Sequence, residues 1–323
     1  MMNRRRVLVP FTLVLLSAGL SNLAAAPALA QEAATAPALQ DDVAWRQELA
    51  AWRAQRESEV AAPGGWLTLV GLEWLKPGFN SFGAAKDNQI QLRAQAPDHI
   101  GLLTVSGKPP IVQLLAPAAG FPADLTIDGQ PAREGQLTVT NAKPPIIALH
   151  GLTLAVLIRG DRFALRIKDA DAPARAAFHG LNWYVPNPHL RVTARWIPFD
   201  SPRIQKIPTG IGATLDLPAP GVAEFTLDGH ILHLEPVIEE RDGHTLFFIL
   251  RDSTSQTTTY AEARYLHTGL PDHGLSQPGA LTLDFNRLEN PACAYTPYAN
   301  CPQPPVQNRL PVALEAGEQR YNR

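Results

Sequence analysis

The hydrophobic and polar positions of this chain change their period as it is read from start to end. Trp45, Leu49 and Trp52 fall at i, i+4 and i+7, a single apolar stripe at helical spacing. Arg46, Glu48, Arg53, Arg56 and Glu57 fill the other faces. The pattern predicts a helix to about residue 58, capped by Asp41 or Asp42 and docked through its tryptophans. Pro63-Gly64-Gly65 ends it.

The period then drops to two. Short β-type runs at 66–70, 89–92, 102–105, 111–115, 125–127, 136–139, 146–149, 152–158 and 163–167 are each bounded by turn residues. Gln89-Ile90-Gln91-Leu92 alternates cleanly, which marks a strand with one wet face. Asp161, Asp169, Asp171 and Pro173 break the series, with a brief helical turn predicted over 172–177. A second series follows at 190–197, 203–207, 214–217, 223–227, 231–236, 245–250, 257–266 and 280–285. Asp128-Gly129 and Asp228-Gly229 are two-residue hairpin signals, read as two uses of one turn rather than a duplication. The expected fold is mainly β: two antiparallel β-sandwich or barrel-like modules, 61–168 and 169–323, behind a linker and short helix over 31–60.

The first residues modify that picture. Arg4-Arg5-Arg6, an apolar run over 7–20 and Ala28-Leu29-Ala30 form a signal peptide over 1–30, cleaved after Ala30. Pro10 and the shortness of the run argue against a membrane anchor, which needs about 20 apolar residues. Cleavage removes three arginines, so the net charge of −2 becomes −5. A mildly acidic exported chain has no general attraction to nucleic acid or anionic membranes, and no later segment is apolar enough to span one. The expected address is the periplasm or the medium. In that oxidising setting Cys293 and Cys301 read as a disulfide rather than half of a metal site. A Cys-x7-Cys spacing has no established metal meaning, and one thiolate pair cannot fill a tetrahedral zinc shell.

Both cysteines lie in the stretch 284–309, DFNRLENPACAYTPYANCPQPPVQNR, which also holds two Tyr, four Asn and five Pro. Proline keeps such a stretch out of β ladders, so an ordered loop is expected, and long ordered loops are often functional. Familiar catalytic signatures fail: Gly274-Leu275-Ser276-Gln277-Pro278 lacks the second glycine of a nucleophile elbow. Gly210-Ile211-Gly212 lacks the third glycine of a dinucleotide fingerprint. His230 and His233, three apart on a strand, face opposite sides, so no metal or cofactor is expected.

What remains is a set of polar residues that a plain β scaffold does not require. Arg166 ends one strand with Lys168 and Asp169, and Asp252 follows a very apolar run. Tyr260, Glu262 and Arg264 share one face of the predicted strand 257–266 by parity, and Asn286, Asn290 and Tyr295 lie in the loop. Converging, they would line a pocket for a small polar or anionic molecule, or an envelope component. The structural alternative is that they satisfy loop backbone and pin the loop to the sheet. An enzymatic alternative is a cofactor-free hydrolase. In it Asp252 or Asp284 acts as base, Tyr260 or Tyr295 as proton donor, and Arg166 or Arg264 as anion clamp.

The order of motifs carries a resemblance. It starts at Trp45-Arg46, Gly65-Trp66-Leu67-Thr68-Leu69-Val70-Gly71-Leu72 and Trp74-Leu75, and continues through Arg159-Gly160-Asp161-Arg162, Arg166-Ile167-Lys168-Asp169 and Phe178-His179-Gly180-Leu181. Arg251-Asp252-Ser253-Thr254-Ser255, Thr259-Tyr260 and Arg264-Tyr265-Leu266 follow. It ends with Asp284-Phe285-Asn286-Arg287, Asn290-Pro291, Cys293-Ala294-Tyr295, Cys301-Pro302 and Asn308-Arg309-Leu310-Pro311. In these the chain resembles a bacterial family catalogued as domain of unknown function 1684. Ala292 and Ser255-Gln256 depart from the family's usual Pro and Ser-Gly. That resemblance points to the place of a site and implies no chemistry. Residues 79–92, FNSFGAAKDNQIQL, are also similar to the opening of a forkhead-associated β-sandwich. Ala84-Ala85 stand where that fold carries its phosphate-reading Arg, and no Ser-x-x-His pair follows, so the likeness implies fold and not phosphopeptide binding.

Overall fold

In a computed structural model of the chain, which describes residues 36–140, 143–159, 162–210, 212–239 and 244–322, the N-terminal stripe forms helix α1, Ala36–Ala61. The expected signal peptide over 1–30 and residues 31–35 of the expected linker lie outside the described residues. Asp41 and Asp42 sit inside the helix, not at its cap, because Ala36, Ala38 and Leu39 are strong helix formers and Pro37 is tolerated in a first turn. The chain divides into two compact units, Met1–Val43 and Ala44–Arg323, and the sheets and cores described below belong to the second. The apolar stripe runs further than three residues: Trp45, Leu49, Arg56 and Val60 are all buried. Arg56, expected on the wet side, holds the i+11 place on the docking face.

Strands β1 (Leu69–Trp74), β2 (Gly78–Gly83), β3 (Ile90–Gln91), β4 (Gly101–Ser106), β5 (Ile111–Leu115), β6 (Thr126–Ile127), β7 (Gln130–Pro131), β8 (Gly135–Leu137), β9 (Ile146–Leu149), β10 (Leu152–Arg159) and β11 (Arg162–Asp169) make two sheets. Their orders are β1-β11-β10-β9-β6-β7 and β3-β2-β4-β5-β8, and only the β2–β3 pair is parallel among the described strands. Phe82, Leu103, Val112 and Leu114 from one sheet and Ile147, Leu154, Val156 and Leu165 from the other share one core, so the sheets face each other as a sandwich. Residues 66–68, expected to open a strand, form a 3-10 turn before β1.

The brief turn after β11 is helix α2, Pro173–Ala176. Strands β12 (Arg191–Pro208), β13 (Thr214–Leu227), β14 (His230–Leu234), β15 (Leu246–Leu250), β16 (Arg264–Thr268) and β17 (Gly279–Asp284) follow. They make a sheet in the order β14-β13-β12-β17 and a ribbon β15-β16. Two pairs of expected strands fuse into β12 and β13, one long hairpin whose register shifts between Pro198 and Arg203. Prolines there interrupt the ladder without ending the strand. β15 is buried on both faces: Leu246, Phe248 and Leu250 join the core with Trp196, Phe225 and Leu283, while Phe247 and Ile249 join Ile207, Ala219 and Tyr265. Both Asp-Gly pairs form the expected tight turns, with Asp128 and Asp228 at φ of 50° and 49° and their glycines at 78° and 80°.

Candidate functional site

The loop 284–309 threads along the edges of nearly everything around it. Asp284 caps a 3-10 turn, Phe285–Arg287, whose Phe285 fills the core beneath β17. Glu289 exchanges both backbone bonds with Tyr265 of β16 at 2.9 Å. Ala294 and Tyr295 pack on Val60 of α1 and Leu67, and Thr296 donates its hydroxyl to the Leu69 carbonyl, 2.8 Å. Cys293 and Cys301 are joined as a disulfide with Cα atoms 6.2 Å apart. Pro302 then bridges Thr209, and Arg309 bridges Arg251. Prolines along the loop deny it a continuous ladder, so its hold comes in single bonds. Replacing both cysteines by serine is expected to lower stability by roughly 2.5 kcal/mol in the chain-entropy account. Urea denaturation of the variant measures it, and an unchanged midpoint would show that the other bonds suffice.

Around this loop the predicted site residues gather into three buried clusters. In the first, Arg264 donates to Asp252 Oδ2 at 3.0 Å, to the Leu314 carbonyl at 2.8 Å and to the carbonyl of Ala316. Asp252 Oδ1 accepts from Thr254 N at 2.9 Å, Thr254 Oγ1 at 2.6 Å and Leu314 N at 3.2 Å. Burial lowers the Arg264 pKa and Asp252 opposes the shift. In the second, Asp284 accepts from Trp45 Nε1 at 2.7 Å and from Asn286 N and Nδ2 at 3.1 and 2.9 Å. Asn286 clasps the backbone of Asn187 through both ends of its amide, at 2.8 and 2.9 Å.

The third cluster centres on Glu318, which the sequence reading missed. Its carboxylate accepts from Arg56 Nε at 2.8 Å, Asn290 N at 2.9 Å and the Tyr295 hydroxyl at 2.5 Å. Arg56 also donates to the Asn290 carbonyl, 2.8 Å, and its guanidinium lies 5.9 Å from the Tyr295 ring centre. Burial raises the Glu318 pKa against the pull of Arg56, and burial followed by the Glu318 charge raises that of Tyr295. Nothing in the run LEAGEQR marks Glu318, whereas the stripe Trp45, Leu49, Trp52, Arg56, Val60 does mark Arg56.

Two candidates remain, Tyr260 and Arg166. Tyr260 is half-buried and packs on the cluster of Val60, Leu67, Ala294 and Tyr295. Arg166 is half-buried in β11, paired with Leu72 and Ala155. The expected strand 257–266 is corrected: it begins only at Arg264, and Arg264 and Tyr265 are both buried, so the parity that grouped Tyr260, Glu262 and Arg264 does not apply. Asp252 instead caps a 3-10 turn, and the Thr254 carbonyl accepts from the amides of Thr257, Thr258 and Thr259, folding that run into a turn.

Two open hollows touch the loop. One of about 210 Å³ lies at its start, among Trp45, Glu48, Arg191, His267, Asp284 and Arg287. A larger groove of about 520 Å³ runs along its end, between Arg203, Gln205 and Lys206 of β12 on one side and Pro304, Pro305, Val306, Gln307 and Arg309 on the other. Glu235 is its one carboxylate, bonded to Gln307 Nε2 at 3.0 Å. No group of His, Cys, Asp and Glu able to hold a metal occurs among the described residues.

The family model described as "Protein of unknown function (DUF1684)" matches residues 176–319, the stretch that contains all three buried clusters apart from their α1 partners. An uncharacterized protein of Haloarcula marismortui, solved by solution NMR, is 32% identical over 45% of this chain and 79% of that one, with a TM-score of 0.39. The chain belongs to the DUF1684 family. Two further solved structures are similar to this DUF1684 chain. A forkhead-associated domain of FhaA, complexed with the intracellular domain of Rv3910, is 17% identical over 30% of this chain and 97% of that one, with a TM-score of 0.21. A structure from a study of phosphothreonine-dependent forkhead-associated domain interactions matches with the same identity, share of this chain and TM-score, over 92% of that chain. The antiparallel architecture stands on its own strand order, not on these likenesses. No curated protein matches the DUF1684 chain.

Proposed function

We propose that this protein is exported and binds an anionic or polar ligand in the groove between β12 and residues 304–309. The observation that carries this reading is the charge around the groove. Arg203, Lys206 and Arg309 face a single carboxylate, Glu235, in a chain whose overall charge is negative. Lys206 is tied to Asp216 at 3.3 Å, but neither Arg203 nor Arg309 has a carboxylate partner among the described residues. Arg203 lies over the Phe199 ring, 3.8 Å from its centre, which leaves its N–H edge for an anion. A concave site with two guanidiniums that no carboxylate neutralises is suited to anion capture. The buried residues Asp252, Arg264, Asn286, Asn290 and Tyr295 act in this reading as the frame that holds the loop in register, so that its far end forms the groove wall. A hydrolytic role is not proposed for Asp252 or Asp284, because both oxygens of Asp252 and both of Asp284 accept bonds from inside the protein. The signal-peptide pattern of residues 1–30 and the Cys293–Cys301 disulfide support export.

Calorimetric titration of the full chain with citrate, pyrophosphate, polyglutamate and a sulfated glycan tests the reading. At least one anion is expected to bind, with affinity falling ten-fold or more in Arg203→Glu or Arg309→Glu and holding in Arg191→Glu. Binding that ignores Arg203→Glu and Arg309→Glu, or no binding at all, contradicts it.

A further inference from the structure

One wall of the groove is open β-strand edge, and its polarity can be followed residue by residue. Thr209 donates its N–H to the Ala213 carbonyl across the hairpin, 2.8 Å, so Thr209 faces β13. The N–H and C=O of one residue leave a strand on the same side, and successive residues alternate. Ile207, Gln205 and Arg203 therefore face β13, while Pro208, Lys206 and Ile204 face away. The Pro208 carbonyl bears this out: it accepts from Gln303 N at 2.8 Å, on the side of the bridge between Thr209 and Pro302.

The loop thus begins to add to the edge of β12 as a strand, and then stops. Its next residues are Pro304 and Pro305, which have no N–H to donate, and the ladder ends there. At the other end β17 covers β12 only as far as Trp196. Between these limits the outward amides and carbonyls of Ile204 and Lys206 have no backbone partner among the described residues. Ile204 is 64% exposed, and Val306 across the groove is 80% exposed.

We propose that this edge takes up an extended acidic peptide segment of another protein, which adds as a strand beside Ile204 and Lys206, between β12 and residues 304–306. The proposal rests on the anion-binding reading of the same groove and names its ligand class. Backbone bonds to Ile204 and Lys206 supply register, and Ile204 and Val306 supply contacts for apolar side chains. Arg203 and Arg309 await carboxylates at the flanks. Charge disfavours a second copy as the occupant, because two such edges would bring Lys206 and Arg203 against their own kind; edge lysines discourage self-pairing in this way.

The probe is an octapeptide of alternating valine and glutamate, titrated into the full chain beside a backbone N-methylated version. The expected result is binding that protects the Ile204 and Lys206 amides from hydrogen exchange. It weakens ten-fold or more with the N-methylated peptide and with Ile204→Pro, whose missing N–H points outward and leaves the β13 ladder intact. Equal binding of the N-methylated peptide overturns strand addition while the anion groove stands, and so does failure of the peptide alongside successful binding of citrate or polyglutamate. Protection of Ile204 and Lys206 that grows with protein concentration alone assigns the edge to a second copy and overturns the proposal. Failure of every anion removes the groove reading as well.

Discussion

Arg264→Ala is expected to lose about 3–5 kcal/mol of stability, the range for breaking a buried ion pair from one side. The Arg264 side chain is fully buried, and so is that of its partner Asp252. Its removal leaves the Asp252 carboxylate without a cation, takes the Arg264 donor from the Ala316 carbonyl and takes one of two donors from the Leu314 carbonyl, which keeps the Ala316 amide. In a domain of this size the loss lowers the melting temperature by about 10 °C. Asp252→Asn should cost less, because an amide oxygen can still cap Thr254. Guanidinium denaturation of both single variants and the double variant gives the coupling energy, expected to be at least about 1 kcal/mol for groups in contact. A loss below about 1 kcal/mol for Arg264→Ala would place this guanidinium in water, where exposed pairs fall.

Trp45→Ala is expected to lose a similar amount, about 3–5 kcal/mol, for a buried large-to-small change. The indole has two jobs. Its rings are buried on the docking stripe of α1, and its Nε1 donates to Asp284, the residue that caps the first turn of the loop. Trp45→Phe separates them: it keeps most of the apolar area and removes the donor, at about 1.5–3 kcal/mol for a bond to a charged acceptor. If Trp45→Phe matches wild type in urea denaturation, the indole serves as packing alone and the helix does not set the loop's cap.

Much of this architecture was legible in the sequence. The period-two runs, the paired Asp-Gly turns and the Cys-x7-Cys spacing correspond to strands, tight turns and a disulfide because each depends on local stereochemistry. Interruption by proline misled the reading of β12 and β13: Pro198, Pro202, Pro218 and Pro220 looked like strand ends, yet a hairpin can carry them where ladder bonds are missing anyway. The alternation of Tyr260, Glu262 and Arg264 looked like a strand, but three threonine amides folding onto the Thr254 carbonyl turn the chain first.

The site was legible in composition and not in exposure. Asp252, Arg264, Asn286, Asn290 and Tyr295 do gather round the loop, as their clustering in the sequence implied, but they point inward: Arg264, Asn286 and Asn290 donate to carbonyls far along the chain, Asp252 takes Arg264, and Tyr295 donates to Glu318. A polar residue that binds a ligand and one that binds a distant backbone group carry the same side chain, so only the tertiary fold separates them. Glu318 had no local signal at all; it is defined by Arg56, Asn290 and Tyr295, which reach it from α1 and the loop. The open edge at Ile204 and Lys206 depended on the placement of Pro304 and Pro305, whose meaning appears only once the loop is seen beside β12.

Native-state hydrogen exchange of the full chain tests most directly the claim that the loop's polar residues are an internal frame and the β12 edge its free surface. The amides of Tyr265, Glu289 and Asn290, bonded to one another and to Glu318, are expected to exchange only on global unfolding, and those of Ile204 and Lys206 within the fastest class. Fast exchange at Asn290 together with slow exchange at Ile204 and Lys206 would reverse the assignment, placing the open site among the buried residues and closing the edge.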